Sequence, residues 1–501
     1  MAAPATVPAR WADLRPEVFV PRAQVAPALL AAEADTLGWD VVHALRLPQV
    51  NAELAAGRRW PATFQQEMQE GWRLAGSFGT WQLVRGGSNS IVFLRADLLG
   101  ASMAFPRQPD LHLEDGWVTV AIKLQYLPQP PGGGATSTPE ESAEFLAARS
   151  TSPDPDDPPA VVQAVGYGTT TPTAVQDAAF RAALARWFCG HLDLLTHVFC
   201  VVDVNRRATG DFQWLRPTWT GYAYANGPTD DTSTFGVLTM TSQDEPVGCV
   251  NQLGPAAVPP GCTSAVLVSQ ESFLRHLMVP GLTRALAGTV VEDFVLETGT
   301  VRTVRPIRLA DVESGGTTYE PVLEKLELQV VGDEVQLRTL VRTGVSPGID
   351  AFVDATDTFR VTLVDKPDGT QTLSFVPSRE PQRREYTQKE PWVVITEILV
   401  GIIGAVTAIV AGVVIPGAGA AMVAVLVIGL VAGLAAATPT LIALVAGGDA
   451  AAALPSIGEL LTQATVDVRW PGSSGLRLRS VELNGALQMG GDLVPAREGE
   501  A

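Results

Sequence analysis

The chain has 501 residues, 46% hydrophobic and only 18% charged, with 35 basic against 53 acidic side chains and a formal net charge of −18. So acidic a chain, with no basic run longer than the pair Arg383-Arg384, excludes a phosphate-backbone binder, because that binding rests on counterion release from a basic surface, and no nucleic-acid partner is expected. Four cysteines exclude a disulfide framework, and about 150 residues per domain gives two to four structural units, enough to bury a large core.

Residues 1–35 are rich in Ala and Pro and read as a flexible arm. Met1 to Arg22 holds no apolar run, so no secretory signal is expected. The expected localisation is synthesis in the cytoplasm, with release by a non-classical route or association with a membrane. From Leu37 the texture changes to Gly38-Trp39-Asp40-Val41-Val42-His43-Ala44. A helical pattern follows through Val50 and Leu54, and Gly57 stops it. Ser90 to Leu94 is a short strand. Gly116 to Tyr126 is the clearest one: Val118, Val120, Ile122, Leu124 and Tyr126 alternate with Thr119, Ala121, Lys123 and Gln125, which puts one face inside and one in water.

Gln129 to Ala160, with Pro130-Pro131-Gly132-Gly133-Gly134 and Pro153-Asp154-Pro155-Asp156-Asp157-Pro158-Pro159, lacks the apolar surface to offset chain entropy. It reads as a mobile loop with one helical turn at Glu140 to Ala148. A helix over Val175 to Phe188 and a strand over Thr196 to Val204 come next, then an aromatic cluster at Phe212, Trp214, Trp219, Tyr222 and Tyr224. Ala265 to Ser269 leads into a helix over Glu271 to Ala287, whose Phe273, Leu274, Leu277, Met278 and Leu282 fall at helical spacing. Pro280 should kink or restart it.

Val290 to Val376 reads as an antiparallel meander, with Leu326, Leu328 and Val330 before a turn at Gly332-Asp333, then Val335 and Leu337. Phe359, Val361 and Leu363 run toward a turn at Asp368-Gly369. A charged bridge, Arg379 to Glu390, precedes an apolar stretch. Val466 to Trp470 and Leu476 to Leu487 read as the last strands before an acidic tail at 492–501.

Motifs for enzyme chemistry come up empty: there is no His-Glu-x-x-His, Gly-x-Ser-x-Gly or P-loop. No catalytic residue, metal or cofactor is therefore assigned. Cys189, His191, His197 and Cys200 are the nearest approach to a metal set, but their spacing matches no zinc pattern and a buried Cys/His junction is the simpler reading. Asp154, Asp156 and Asp157 resemble half of a calcium loop without its Gly and closing Glu, so a solvated charge run is expected. Cys249 and Cys262 flank a Pro/Gly-rich loop that a bridge could staple, but reduced thiols are the expected reading.

Ile398 to Gly448 carries no Asp, Glu, Lys, Arg or His over 51 residues and includes 13 Ala and 9 Gly. Its mean hydropathy is roughly +2.2, which leaves the rest of the chain near a soluble value of about −0.06. Pro416-Gly417-Ala418-Gly419 divides it into two halves, each near the length that spans a hydrocarbon core. Three readings stay open: a hairpin buried in a soluble fold, a transmembrane hairpin, or a hairpin that inserts into a membrane on a trigger. Ile398, Ile402, Pro416, Gly429 and Gly433 mark it.

Several words in the chain are similar to those of a known family. Thr36-Leu37-Gly38-Trp39-Asp40-Val41-Val42-His43-Ala44, Trp214-Leu215-Arg216-Pro217-Thr218, Tyr222-Ala223-Tyr224-Ala225 and Ser233-Thr234-Phe235-Gly236-Val237-Leu238-Thr239-Met240-Thr241 carry the resemblance. So do Ser272-Phe273-Leu274, Met278-Val279-Pro280-Gly281-Leu282 and Leu483-Asn484-Gly485-Ala486-Leu487-Gln488-Met489-Gly490-Gly491. In order from 36 to 491, they resemble the clostridial forty-seven-kilodalton and OrfX-type accessory proteins of toxin clusters, in the tubular lipid-binding (TULIP) superfamily.

The resemblance implies an α+β fold, with a long curved antiparallel sheet wrapped around long helices, to which the uncharged composition adds an apolar helical hairpin at 392–448. It implies non-enzymatic binding of lipid or another apolar small molecule in a groove between sheet and helix. Val118, Val120, Ile122, Leu124, Phe273, Leu277 and Leu282 are the expected lining. Expected partners are a lipid, a membrane surface, and a toxin or other cluster-encoded protein. The alternatives are a membrane-inserting effector using 398–448 and an interaction scaffold for a toxin complex.

Overall fold

The computed structural model describes residues 34–496 apart from 69–70, 107, 129–142, 150–156, 204–212, 242–245, 287, 310, 315–316, 366–370, 380–381, 390–459, 461–463 and 466. The hairpin 392–448, with Ile398, Ile402, Pro416, Gly429 and Gly433, lies outside the described residues, as do Phe212, Asp154, Asp156 and the turn at Asp368-Gly369. Most of the arm 1–35 does too. Its end does not: Ala34 is buried and donates its N–H to the Asn484 carbonyl at 2.7 Å.

Among the described residues three large antiparallel sheets carry the fold, where the sequence suggested one. A central six-stranded sheet is built on Val41–Arg46, flanked by Thr234–Met240 and Ser264–Val268. Outside these lie Trp219–Ala225 on one side, and Ala486–Pro495 with Ser473–Asn484 on the other. An N-terminal sheet of eight strands centres on Arg73–Ser88, Ile91–Ala104 and Leu111–Pro128. A C-terminal sheet of eight strands centres on Pro321–Val331, Glu334–Ser346 and Ile349–Asp365. Register shifts such as Phe78/Trp81, Leu323/Lys325 and Gly344/Ser346 bend these long strands, because each bulge adds a residue to one strand and increases its twist.

Each outer sheet closes around helices. In the N-terminal module, Ala174–His191 buries Ala179, Phe180, Ala183, Leu184, Trp187 and Phe188, and Leu47–Gly57 buries Leu47, Val50 and Leu54. Both pack with the inward residues of the curled sheet into one core. Thr173 and Gln176 start the longer helix with a reciprocal capping box, which satisfies N–H groups that the first turn leaves open. In the C-terminal module, Phe273, Leu274, Met278, Val279 and Leu282 join the meander's Leu326, Leu328, Val335, Leu337 and Phe359 in a second core. Leu460 and Ala464, helical and four residues apart, complete it. Among the described residues the longest helix is Ala174–His191, at 18 residues, so the long helices expected for this fold are absent from that part of the chain.

Several local expectations change. Glu140 to Ala148 was expected to be a helical turn, but Ala143–Ala148 is a strand between Leu111–Pro128 and Cys200–Asp203. Phe145 and Leu146 thereby gain ladder partners that no isolated turn offers. The strand expected over Thr196 to Val204 is confined to Cys200–Asp203. Leu476 to Leu487 is two strands, because Gly485 takes a φ of 81° and reverses the chain after Asn484. The second strand runs to Pro495, so the tail's first residues belong to the sheet. Within Arg379 to Glu390, Gln382–Lys389 pairs with Ile349–Asp365. Gln270 to Ala285 is continuously helical, with a π-helical stretch at Phe273–Met278 and a return to α geometry at Val279. The wider turn lets the helix run through Pro280, which has no N–H to give.

The edge strand Trp219–Ala225 fastens the N-terminal module to the central sheet. The Leu124 N–H donates to the Tyr222 hydroxyl oxygen at 2.7 Å, and that hydroxyl donates to the Ser90 carbonyl at 2.5 Å. Tyr126 donates to the Gly221 carbonyl at 2.9 Å, and Tyr224 donates to the Val84 carbonyl at 3.2 Å. Burial pushes the Tyr222 hydroxyl up to about 12, so it stays a donor throughout the physiological range. Tyr222→Phe takes the partner from a buried N–H of Leu124 and from the part-buried C=O of Ser90. A loss of about 1–3 kcal/mol is expected in equilibrium denaturation; an unchanged midpoint and slope would show that the latch contributes nothing.

Candidate functional site

The first word of the resemblance, Gly38-Trp39-Asp40, is a structural junction. Leu37 and Gly38 both have positive φ, 52° and 101°, and turn the chain into the central sheet. The Trp39 indole N–H donates to the Val250 carbonyl at 3.0 Å. Its ring lies over Gly221, where a Cβ would approach within 2.9 Å. Asp40 accepts from the Thr241 N–H at 2.8 Å, the Thr241 hydroxyl at 3.1 Å and the Ser272 hydroxyl at 3.3 Å. Ser272 in turn accepts from Ser269, whose Oγ caps the second-core helix by accepting from the Ser272 N–H. One carboxylate thus fixes the start of the central strand, the end of Thr234–Met240 and the helix N-terminus.

The last word is also structural. Gln488 donates to the carbonyls of Ala256 and Ala257 at 2.6 and 3.0 Å, which holds the 246–262 segment over the outer face of the central sheet. Gly491 lies against the Arg477 carbonyl with no room for a Cβ. That outer face and the segment form a third core of Trp39, Val42, Ala44, Leu238, Leu253 and Leu267 with their neighbours.

The expected lipid-lining residues fall into two places. Val118, Val120, Ile122 and Leu124 point inward from Leu111–Pro128 into the first core. Phe273 and Leu282 are fully buried in the second core, and Leu277 is half-buried against it. The two sets therefore do not line one groove: a strand and a helix more than a hundred positions apart belong to different sheet-wrapped cores. Val118, Val120, Ile122 and Leu124 face inward, but Thr119 and Ala121, expected in water, are buried as well; which sheet each face meets is set by long-range pairing, to which local periodicity is blind.

The cysteine and histidine positions also resolve. Cys189 directs its thiol to the Ala160 carbonyl. His191 bonds the Trp187 carbonyl through Nδ1 and stacks on the Trp187 ring. His197 packs edge-on against Phe199, and burial lowers its pKa to about 4. Cys200 is buried in the first core, with its thiol pushed up by burial. Among the described residues no group of three or more His, Cys, Asp or Glu side chains could hold a metal ion. Cys249 and Cys262 are not bridged: the first thiol meets the Gly38 carbonyl and the Met240 sulfur, the second lies near Ser480. Asp157, expected in a solvated charge run, instead sits between Lys123 at 2.8 Å and Arg149 at 2.9 Å.

These features define a tandem protein: two sheet-wrapped helical cores hung on one bridging sheet. The chain belongs to the OrfX2/OrfX3/P47 family, since the family model described as "OrfX-like: Protein OrfX2/OrfX3/P47" matches residues 36–491. Protein OrfX3 of Paraclostridium bifermentans is 27% identical over 496 residues, covering 92% of this chain and 99% of the relative. Protein OrfX3 of Clostridium botulinum (strain Kyoto / Type A2) is 23% identical over 502 residues, with the same coverage. The structure of P47 from Clostridium botulinum A2 superposes with a TM-score of 0.63 at 14% identity, over 93% of this chain and 100% of that one.

Replacing Asp40 with Ala removes the acceptor for three donors at once. Unfolding by urea is expected to show a loss of about 3 kcal/mol, since hydrogen bonds to a charged group contribute about 1.5–3 kcal/mol each and are not additive. A loss below about 0.5 kcal/mol would mean the junction does not organise the fold.

Proposed function

We propose that the chain is a non-enzymatic accessory protein that shelters an apolar ligand, such as lipid acyl chains, between the curled sheets and their helices. The observation that carries this reading is the inward face of Leu111–Pro128: Val118, Val120, Ile122 and Leu124 are all nearly inaccessible to water and face a helix across an apolar core. The second module repeats the pattern with Phe273 and Leu282. Apolar contact of this kind stabilises a bound chain by about 0.8 kcal/mol per buried methylene and demands little polar specificity. Family membership supports the accessory role, with a lipid or a protein of the same toxin cluster as partner.

Organic extraction of the purified chain, followed by lipid mass spectrometry, tests the reading. Acyl lipid is expected at a stoichiometry near one or two per chain, or is taken up from mixed-lipid vesicles by initially delipidated protein. A chain that carries no lipid and acquires none would overturn it.

A further inference from the structure

The inner face of the central sheet serves both modules, and one residue lies on the dividing line. Across the sheet, register places Tyr222, Val237, His43, Val266 and Met489 in a single row on the same face. Tyr222 and Val237 belong to the first core, Val266 and Met489 to the second. Along the strand the division repeats, with Leu45 in the first core and Val41 in the second. His43 stands between them at 3% exposure.

We propose that His43 is an acid-sensitive pivot: protonation of its imidazole loosens the seam between the two cores and lets the N-terminal and C-terminal modules part along the central sheet.

The physical reason is the cost of placing a cation where both flanks are apolar. The groups facing His43 from its own strand are Val41 and Leu45, and those from the adjoining strands are Val237 and Val266. The nearest titratable neighbour in the row is Tyr222, whose hydroxyl is committed to Ser90 and Leu124. Of the charges on the surrounding elements, Asp40 binds Thr241 and Ser272, Glu271 pairs with Arg275 at the surface, and Glu53 lies against Gly472; the carboxylate buried at the seam itself is Asp467, between Ala464 of the second core and Val468 of the first. Burial lowers the imidazole pKa from 6.5 to about 3. The sign follows from proton linkage. Above pH 6.5 the imidazole is neutral whether the seam is closed or open. Below it, the open state binds a proton that the closed state refuses, so closure weakens as pH falls toward the closed-state value.

The test is hydrogen exchange on the full chain, corrected for intrinsic rates, with binding of a hydrophobic dye as second readout, from pH 7.5 to pH 4.5. A single site of this kind raises the opening constant of Val41–Arg46 and its neighbouring strands about thirtyfold by pH 5, whatever the exact closed-state value below 4. His43→Leu and His43→Gln should both remove that rise, while the exposed His112→Gln control keeps it. Two such variants guard against one failing to fold. If either folded His43 variant opens with the same pH dependence as the natural chain, or if His197→Gln alone removes the response, the proposal is overturned.

Discussion

One alternating strand constrains everything else. Val41–Arg46 turns Val42 and Ala44 toward the outer face and Val41, His43 and Leu45 toward the inner one, and a strand can do this only because its side chains have a period of two. The inner face must then satisfy two cores at once. Neither module could bury its share without the sheet, and the sheet would present bare apolar faces without the modules and the 246–262 segment.

The junctions that hold this arrangement are made of short polar contacts between elements far apart in sequence. Tyr222 and Tyr224 reach from the edge strand to backbone groups of the N-terminal sheet. Asp40 draws together the central strand, its neighbour and a helix start. Gln488 and Arg46 hold the covering segment through its carbonyls at Ala256, Ala257 and Val258. Each group would be costly to bury alone, so a slipped register leaves several unsatisfied together. Such contacts fix one pairing, whereas the apolar cores tolerate exchange of similar side chains.

Much of the fold was legible locally and little of it globally. Helices at Leu47–Gly57 and Ala174–His191 were legible from local pattern, the first with its stop at Gly57, and the Pro321–Val331 hairpin from alternation around Gly332-Asp333. Ala143–Ala148 was hidden because Phe145 and Leu146 sit beside Pro-rich segments, and their strand character comes only from partners on both sides. The family words were readable as a resemblance, but their physical meaning was not. Asp40, Gln488 and the tyrosines are junction residues whose partners lie from about a hundred to more than two hundred positions away, and His43 looked like an ordinary strand residue until the register placed it between two cores.

If a single shared sheet unites the modules, its middle strands must be the last part of the molecule to open. Native-state hydrogen exchange at neutral pH measures this directly. Amides of Val41–Arg46, Thr234–Met240 and Ser264–Val268 are expected to exchange only through global unfolding, with the slowest rates in the chain. Central amides that exchange sooner than those of Leu111–Pro128 or Pro321–Val331 would contradict the account, showing two independent modules that merely touch.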